Sequence, residues 1–139
     1  MINVNCDLWE YPADWRAITT NGSINSKGLA VMGRGCALEA KKRFPGLQGS
    51  LAYNLKLGGN HIFMFPEYKI ITFPVKHQWF EKADINLITR SAEELRSNWE
   101  DPWIIAMPRP GCGNGGLSWA DVRPVIVDIL PDNVTILSL

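Results

Sequence analysis

The sequence predicts an α/β fold in which a sheet and helices pack in layers. Segments typical of strands and segments typical of helices alternate through most of the chain, the order that builds layered α/β domains. The run "PWIIAMP" (102–108) is wholly apolar and bracketed by prolines, which is typical of a strand buried in the middle of a sheet. The 139 residues fit one domain, predicted to span residues 1–139.

The N-terminal third predicts two strands, a long loop and a helix. "INVNCDLW" alternates and is rich in strand formers, so the first strand is expected to end near Asp7. "WRAITTNG" (15–22) predicts the second strand, broken by its Asn-Gly pair. Residues 23–35 hold three glycines without a regular period and are expected to form a loop. "CALEAKKRFPG" (36–46) predicts a helix that ends at its Pro-Gly pair.

The middle of the chain predicts a helix, a hairpin and a strongly amphipathic helix. "LQGSLAYNLKLGG" is expected to be helical up to its Gly-Gly pair. "HIFMFPEYKIITFPV" (61–75) predicts a hairpin with Pro66 and Glu67 at the turn. In "ADINLITRSAEELRSNWE" (83–100), apolar side chains recur at spacings of three and four, which places them on one helical face. These side chains are Ile85, Ile88, Ala92, Leu95 and Trp99.

The C-terminal part predicts one more helix and a last strand. Ser118 is positioned to cap a helix, with Asp121 three residues later as its capping-box partner. Pro124 falls inside this segment, where it either kinks the helix or marks its true start. "NVTILSL" (133–139) predicts the final strand.

Composition and cysteine spacing argue against several classes of function. The formal net charge is zero, so the chain gains no long-range attraction to a nucleic-acid backbone or an anionic membrane. No apolar run reaches the ~20 residues of a membrane helix, and the N-terminus has no signal-peptide pattern, so a cytoplasmic protein is expected. Cys6, Cys36 and Cys112 are far apart and not at ligand spacing with His61 or His77, so neither disulfides nor a metal site is predicted.

The most unusual segment is "PRPGCGNGGLSW" (108–119), where four glycines in six residues lie between an apolar strand and a helix. Gly111, Gly113 and Gly116 match G-x-G-x-x-G, the dinucleotide-binding fingerprint. That fingerprint opens a unit that needs further strands, and only one predicted strand follows here, so a nicotinamide-dependent dehydrogenase is disfavoured. Two interpretations stay open. One is a tight strand-to-helix turn, and the other is a cradle of backbone amides for a diphosphate at a helix N-terminus.

A second loop has the same construction. In "GLAVMGRGCALEAKKRF", Gly33 and Gly35 stand immediately before a predicted helix. Two glycine-rich loops that lead into two helix N-termini predict two walls of one cleft. A ligand with a diphosphate between two sugars fits such a cleft, so the residues alone predict a nucleotide-like phosphate ligand.

Four motifs in this order and spacing resemble the macrodomain family, an ADP-ribose-binding module, along essentially the whole chain. They are "NCDLW", "NGSINSKGLAVMGRGCALEAKKRFPG", "ITFPVKHQW" and "MPRPGCGNGGLSWADVRPVI". The resemblance is closest to the branch of lysine-dependent ADP-ribosyl-acceptor hydrolases and of antitoxin macrodomains that remove ADP-ribose from DNA. It implies a three-layer α/β/α sandwich with a mixed, roughly six-stranded sheet. It also implies ADP-ribose as the ligand, no cofactor, no metal and a monomer.

The resemblance implies where the ligand lies. Asp7 would accept a hydrogen bond from the adenine amino group, although the same carboxylate could instead cap a neighbouring turn. Asn21 and the loop 28–35 would surround the distal ribose, and the loop 111–116 would hold the diphosphate. The implied ligand-binding residues are Asp7, Leu8, Asn21, Gly28, Met32, Gly33, Arg34, Gly35, Pro110, Gly111, Cys112, Gly113, Asn114, Gly115, Gly116 and Leu117.

Lys76 distinguishes an enzyme from a binding module. By resemblance, a lysine in this "FP-x-K" context attacks the anomeric carbon of the distal ribose and expels the acceptor, after which water releases ADP-ribose. Attack requires a neutral amine, so the ordinary lysine pKa of about 10 must be lowered by burial or by a nearby cation. Arg34, His77 or Arg109 could supply that cation. A lysine that follows a strand is otherwise a solvated charge.

Three further positions bear on the acceptor, which is an ADP-ribosylated nucleic acid or protein. Protein-directed members of the branch carry an acidic residue where this chain has Gly115, so the resemblance favours a nucleobase acceptor or a module that only binds. Asn114 could orient water but carries no proton. Trp79 is expected either to pack or to line the cleft and stack on an acceptor base. Removal of phosphate from ADP-ribose 1″-phosphate stays open as a third function.

Overall fold

A computed structural model describes residues 1–139 and contains six strands and four α-helices. In chain order they are β1 (Ile2–Asn5), β2 (Trp15–Asn21), α1 (Gly35–Arg43), α2 (Leu47–Gly58), β3 (Phe63–Phe65), β4 (Ile70–Lys76), α3 (Ile85–Asn98), β5 (Ile105–Pro108), α4 (Trp119–Ile126) and β6 (Val134–Ser138). None of the helices combines the length and the apolar character needed to cross a membrane. The predicted helices and strands are all present, in the predicted order.

The six strands form one mixed sheet in the order β1-β6-β5-β2-β4-β3. β3 pairs antiparallel with β4 and forms the predicted hairpin with it, whereas all other neighbours are parallel. The carboxyl ends of the five parallel strands therefore lie along one edge of the sheet. Ligands of open α/β sheets bind outside that edge.

Helices cover both faces of the sheet. Ala17 and Ile18 are neighbours in β2 and both fully buried, but they belong to two separate cores, because successive strand residues face opposite sides. α3, with Ile88, and α4 complete one core, while α1 and α2, with Leu51, complete the other. The three-layer α/β/α sandwich implied by the family resemblance is confirmed.

Two elements differ in detail from the sequence prediction. β5 begins at Ile105, later than "PWIIAMP" predicts, because the chain up to Trp103 forms a turn, in which the Trp103 amide donates to the Glu100 carbonyl (2.8 Å). The strand is nevertheless interior, between β2 and β6. Pro124 lies inside α4 and does not mark its start. Ser118 caps this helix as predicted, since its hydroxyl accepts a hydrogen bond from the backbone amide of Asp121 (3.2 Å).

α3 confirms the amphipathic prediction. Ile88, Ala92 and Leu95 are buried in the core, and Ile85 is partly buried against the same core. Leu87 is buried in addition to the predicted face. The tryptophan that ends the predicted face lies just past the helix, because α3 stops one residue before it.

Asp84 fixes the start of α3 to the loop that follows β4. Its Oδ1 accepts a hydrogen bond from the backbone amide of Asn86 (2.9 Å), and its Oδ2 lies 2.7 Å from His77 Nε2. The hydrogen bond from His77, followed by that from the Asn86 amide, holds the pKa of Asp84 below its usual value. Because the folded state favours the carboxylate, this contribution to stability is present at neutral pH and is lost as pH falls through the lowered pKa.

Asp84→Ala is expected to lower the free energy of unfolding by about 1 kcal/mol at neutral pH, the usual effect of losing an N-cap side chain. Asp84→Asn keeps an acceptor for the cap but cannot ionise. The difference in the free energy of unfolding between wild type and Asp84→Asn should therefore become smaller as pH falls from about 5 to about 3. Urea unfolding over this pH range measures both effects. A gap that does not change with pH would contradict an ionised Asp84.

Candidate functional site

One large cleft, of about 1170 Å³, lies at the carboxyl edge of the parallel strands. Its walls come from the ends of β1, β2, β4 and β5 and from the loops that follow these strands. A cleft of this size accommodates a ligand as large as a dinucleotide. Most of the residues implied by the family resemblance line it: Asp7, Leu8, Asn21, Met32, Gly33, Arg34, Gly35, Lys76, Gly111, Cys112, Gly113, Asn114, Gly115 and Gly116.

Gly28, Pro110 and Leu117 do not line the cleft. The Gly28 carbonyl accepts a hydrogen bond from Lys56 Nζ (3.0 Å), so its turn faces α2. Pro110 is buried, and Leu117 packs against the core that α3 and α4 complete. These three residues support the two loops on the side away from the cleft.

The loop 111–116 joins β5 to α4 and is held in a tight shape by its own backbone. The Leu117 amide donates to the Gly111 carbonyl (3.0 Å), and the Gly116 amide donates to the Gly113 carbonyl (3.0 Å). Gly111, Gly113 and Gly116 have φ values of +78°, +69° and +79°, which residues with a Cβ rarely adopt. The turn itself therefore needs these glycines, and they also leave the loop backbone bare on the side of the cleft.

The start of α1 is the stronger anion site of the two helix N-termini. Its N-cap residue, Arg34, makes no side-chain capping bond, and Gly35, Cys36 and Ala37 all line the cleft. The first amides of α1 are therefore left for a ligand. In α4, Ser118 already accepts a hydrogen bond from a first-turn amide, and no residue of this helix lines the cleft. The loop before α4, and not the helix, forms the second wall.

The two loops face each other across the cleft, as predicted. A Cβ on Gly35 would lie 3.4 Å from Asn114 Nδ2, so the start of α1 and the loop 111–116 approach to contact distance. A Cβ on Gly33 or Gly113 would meet no atom within 4 Å, so the backbone there borders open space. A ligand placed between the loops can approach both backbones closely.

Lys76 and Asn21 lie side by side where β4 and β2 end, because they are register partners in the sheet. Lys76 Nζ donates to the Trp79 carbonyl (3.3 Å), and the Lys76 carbonyl accepts from Asn60 Nδ2 (2.9 Å). The Asn21 side chain accepts from the Ser23 amide (2.9 Å) and donates to a carbonyl farther along the same loop. Lys76 thus presents its amine at the cleft, whereas Asn21 shapes the loop that follows β2.

Asp7 has the turn-capping contact that the sequence left open. Its Oδ1 accepts a hydrogen bond from the Trp9 amide (2.7 Å), and the residue also lines the cleft. Arg16 holds this turn from β2, because its guanidinium donates to the carbonyls of Leu8 (2.9 Å) and Tyr11 (2.6 Å). Sequence reasoning missed Arg16, although it is the one charged residue of β2, which was a usable signal.

Cations outnumber carboxylates on the walls of the cleft, which suits a diphosphate. The cations are Arg34, Lys41, Lys76, Lys82 and Arg109, and the carboxylates are Asp7, Glu39 and Glu81. Arg109 holds its guanidinium over the Trp119 ring at 5.2 Å. Of the three cations considered as partners for the Lys76 amine, His77 alone does not line the cleft. Its ring is paired with Asp84 instead.

Cys36 and Cys112, which line the cleft, are poor nucleophiles. Burial raises the pKa of Cys36, and its hydrogen bonds with Thr19 only partly oppose this effect. Burial also raises the pKa of Cys112, against the opposing charge of Arg109. The thiolate is the reactive form of cysteine, so both groups stay protonated and unreactive at neutral pH. Lys76, at a strand end where α/β folds place their chemistry, is the stronger candidate.

Comparison with known proteins gives relatives of one kind. No protein-family model matches the sequence. The DNA ADP-ribosyl glycohydrolase of Thermus aquaticus is 29% identical over 78% of this chain and 32% of that protein. The protein of the same name from Mycobacterium tuberculosis is 31% identical over 86% of this chain and 37% of that protein. The chain therefore spans about a third of the length of these curated relatives.

Solved structures match over nearly the whole chain. The macrodomain of Mycobacterium tuberculosis DarG matches with a TM-score of 0.81 and 24% identity, covering 99% of this chain and 97% of that chain. The macrodomain of Thermus aquaticus DarG matches with a TM-score of 0.76 and 26% identity, covering 98% of this chain and 95% of that chain. Thermosipho africanus DarTG in complex with ADP-ribose matches with a TM-score of 0.67 and 23% identity, covering 91% of this chain and 39% of that chain. The chain belongs to the macrodomain family and is a macrodomain of the DarG type.

Proposed function

We propose that this macrodomain binds ADP-ribose in the cleft and releases it from modified nucleobases of DNA, with Lys76 as the nucleophile. Relatives named DNA ADP-ribosyl glycohydrolase, and a structural neighbour in complex with ADP-ribose, support this function. The observation that carries the proposal is the position of Lys76. It lies at the end of β4, in the same cleft as the two glycine-rich loops.

The order of the strands supports one orientation of the ligand. The adenine would lie at the turn after β1, where the Asp7 carboxylate accepts hydrogen bonds from amino groups. The diphosphate would lie between the start of α1 and the loop 111–116, where bare amides meet the charge of Arg34. The distal ribose would then lie over the ends of β2 and β4, beside Lys76. This orientation brings the bond to the acceptor next to the amine.

The reaction consists of two displacements at the anomeric carbon of the distal ribose. The neutral Lys76 amine forms a bond to that carbon as the bond to the nucleobase breaks, and the base leaves with a proton in place of the ribose. Water then attacks the same carbon and displaces the amine. One water is consumed, ADP-ribose is released, and the lysine returns to its starting state.

Gly115 favours a nucleobase acceptor over a protein acceptor. A Cβ at this buried position would lie 3.0 Å from the Ala83 Cβ, closer than side chains normally pack. The acidic residue that protein-directed members of the branch carry here therefore does not fit this backbone without displacing Ala83. Asn114 can orient a water or a ribose hydroxyl but cannot carry the proton in its place. The chemistry of this loop thus differs from that of the protein-directed enzymes.

A binding module without catalysis is the second candidate function. The Lys76 ammonium donates to the Trp79 carbonyl, a contact that a lysine with only a charge-neutralising role would also make. The absence of an acid at Gly115 fits this alternative as well. Both candidates require ADP-ribose in the cleft, so binding is tested first and catalysis second.

Titration calorimetry with ADP-ribose, with NAD and ADP as controls, tests the cleft directly. We expect micromolar affinity for ADP-ribose and a preference of at least about tenfold over either control, since only ADP-ribose offers a free distal ribose to the end of β4. Release of ADP-ribose from an ADP-ribosylated DNA oligonucleotide then tests catalysis. Failure to bind ADP-ribose would overturn both candidate functions, whereas binding without release would support the binding module.

A further inference from the structure

We propose that Trp79, supported by the perpendicular ring of Phe80, forms an aromatic platform that stacks on the base next to the modified nucleotide in single-stranded DNA. This inference rests on the proposed function, because it requires a DNA acceptor. It adds a second contact, outside the ADP-ribose itself, by which the domain recognises its substrate.

Trp79 and Phe80 are the large aromatic side chains exposed at the cleft. They are 54% and 69% exposed, and both line the cleft close to Lys76 along the chain. Their rings meet edge to face, with centroids 5.6 Å apart and an interplanar angle of 87°. Trp79 is the one exposed tryptophan of the six, since Trp15 is buried and the other four are partly buried. Two adjacent aromatic rings left in water at the mouth of a cleft indicate a surface that is covered by a ligand.

The backbone that carries the platform is held in place on both sides. The Trp79 amide donates to Ser23 Oγ (2.9 Å), and the Trp79 carbonyl accepts from Lys76 Nζ (3.3 Å). Ser23 is itself buried, and its hydroxyl donates to Gln78 Oε1 (2.7 Å). The platform therefore has a fixed position relative to the Lys76 amine. A base bound there would be the neighbour of the nucleotide whose bond is cleaved.

The chemistry of the platform fits an unpaired base. Aromatic side chains stack on the face of any base, and that face is free only when the strand is unstacked and single. Lys82 lines the cleft on the same segment as the platform, where its ammonium can pair with a DNA phosphate. Since the formal net charge of the chain is zero, it gains no long-range attraction to DNA, and recognition is expected to rely on contacts at this site.

The test compares kcat/KM for an ADP-ribosylated single-stranded oligonucleotide with kcat/KM for the ADP-ribosylated nucleoside alone. In wild type the ratio should favour the oligonucleotide. Trp79→Leu should reduce the ratio by about tenfold, since stacking on one base is lost. Phe80→Leu should reduce it less, since it removes only the support of the Trp79 ring. Trp79→Phe should restore most of it, because the aromatic face returns. Tyr53→Leu is the matched control, since Tyr53 is 64% exposed on α2 and does not line the cleft.

An oligonucleotide with abasic sites on both sides of the modified nucleotide completes a double-mutant cycle. On this probe the kcat/KM of wild type should fall by the same factor by which Trp79→Leu lowers kcat/KM on the normal oligonucleotide. Trp79→Leu should show no further fall in kcat/KM on the abasic probe. Additive losses, or an unchanged ratio in Trp79→Leu, would overturn the platform. So would equal losses on the nucleoside, on duplex DNA or on an ADP-ribosylated protein. Wild type that leaves both the oligonucleotide and the nucleoside intact would overturn the proposed function itself.

Discussion

Lys76→Ala is expected to abolish the release of ADP-ribose from modified DNA while most of the affinity for ADP-ribose remains. Loss of the attacking amine removes the covalent route entirely, so kcat should fall by at least about a thousandfold. In the proposed binding mode the affinity comes from amides and cations spread over the two loops, so the Kd for ADP-ribose should change by less than about tenfold. Single-turnover release assays and calorimetry measure the two quantities separately.

Lys76→Arg separates a nucleophile from a charge. Arginine keeps the positive charge at the end of β4, but its guanidinium stays protonated and cannot attack. If Lys76 is the nucleophile, both variants are inactive although Lys76→Arg binds ADP-ribose well. If Lys76 only neutralises a phosphate, Lys76→Arg should retain turnover. Activity in the arginine variant would therefore contradict the covalent mechanism and leave the lysine with an electrostatic role.

Measurements of stability exclude unfolding as the cause of lost activity in the two Lys76 variants. The Lys76 amine makes a partly exposed contact with the Trp79 carbonyl, and changes at such positions alter the free energy of unfolding by about 0.5 kcal/mol or less. Coincident thermal transitions for wild type and both variants are expected. An ADP-ribosyl adduct on the Lys76 peptide, found by mass spectrometry after acid quench of wild type and absent from Lys76→Arg, would identify the attacking atom.

The layered fold could be predicted from the sequence because each layer is encoded by a local pattern. Ile88, Ala92 and Leu95 recur at helical spacing, so the face that packs on the sheet was visible in α3 alone. Likewise the apolar "IAMP" of β5 indicated burial on both faces without reference to any other segment. Strand ends were predicted only to within a few residues, because they depend on local contacts that the apolar pattern does not show. The turn at Trp103, just before β5, is an example.

The candidate site was predictable only where it is built from continuous segments. The loops around Gly33 and Gly113, and Lys76 at a strand end, are each readable from their own neighbourhood. The contact of Arg16 with the turn after β1 joins segments from two strands, and no single segment encodes it. The same is true of Lys82, which lines the cleft from a loop without a motif.

Steric limits between distant segments were also hidden from the sequence. Gly115 could be recognised as a departure from the protein-directed members of the branch, but not explained. Its explanation is Ala83, which belongs to the loop before α3 and whose Cβ would lie 3.0 Å from a Cβ at 115. The Ala83 amide also donates to the Gly115 carbonyl (2.9 Å), so the two loops are fixed against each other. An acid at this position would require Ala83 to shift by a few tenths of an ångström.

Gly111→Ala is expected to destabilise the protein by about 3 kcal/mol, from two causes that add. The backbone at Gly111 has a φ of +78°, which is strained for any residue with a Cβ. The new methyl group would also lie 2.5 Å from Ile88 Cδ1 and 3.2 Å from both the Ala83 Cβ and Leu117 Cδ1. These atoms belong to the packed core, so they cannot yield freely. Urea unfolding measures the loss.

Gly113→Ala provides the control that separates strain from crowding, and it also tests the diphosphate cradle. Its φ of +69° carries the same backbone strain, but a Cβ there would meet no atom within 4 Å, so the expected loss of stability is about 1 kcal/mol. Because that methyl group would enter the open space between the two loops, it should weaken ADP-ribose binding by at least about tenfold. If the loop 111–116 served only as a turn, Gly113→Ala would leave ADP-ribose affinity unchanged. The diphosphate would then have to be held by the start of α1 alone.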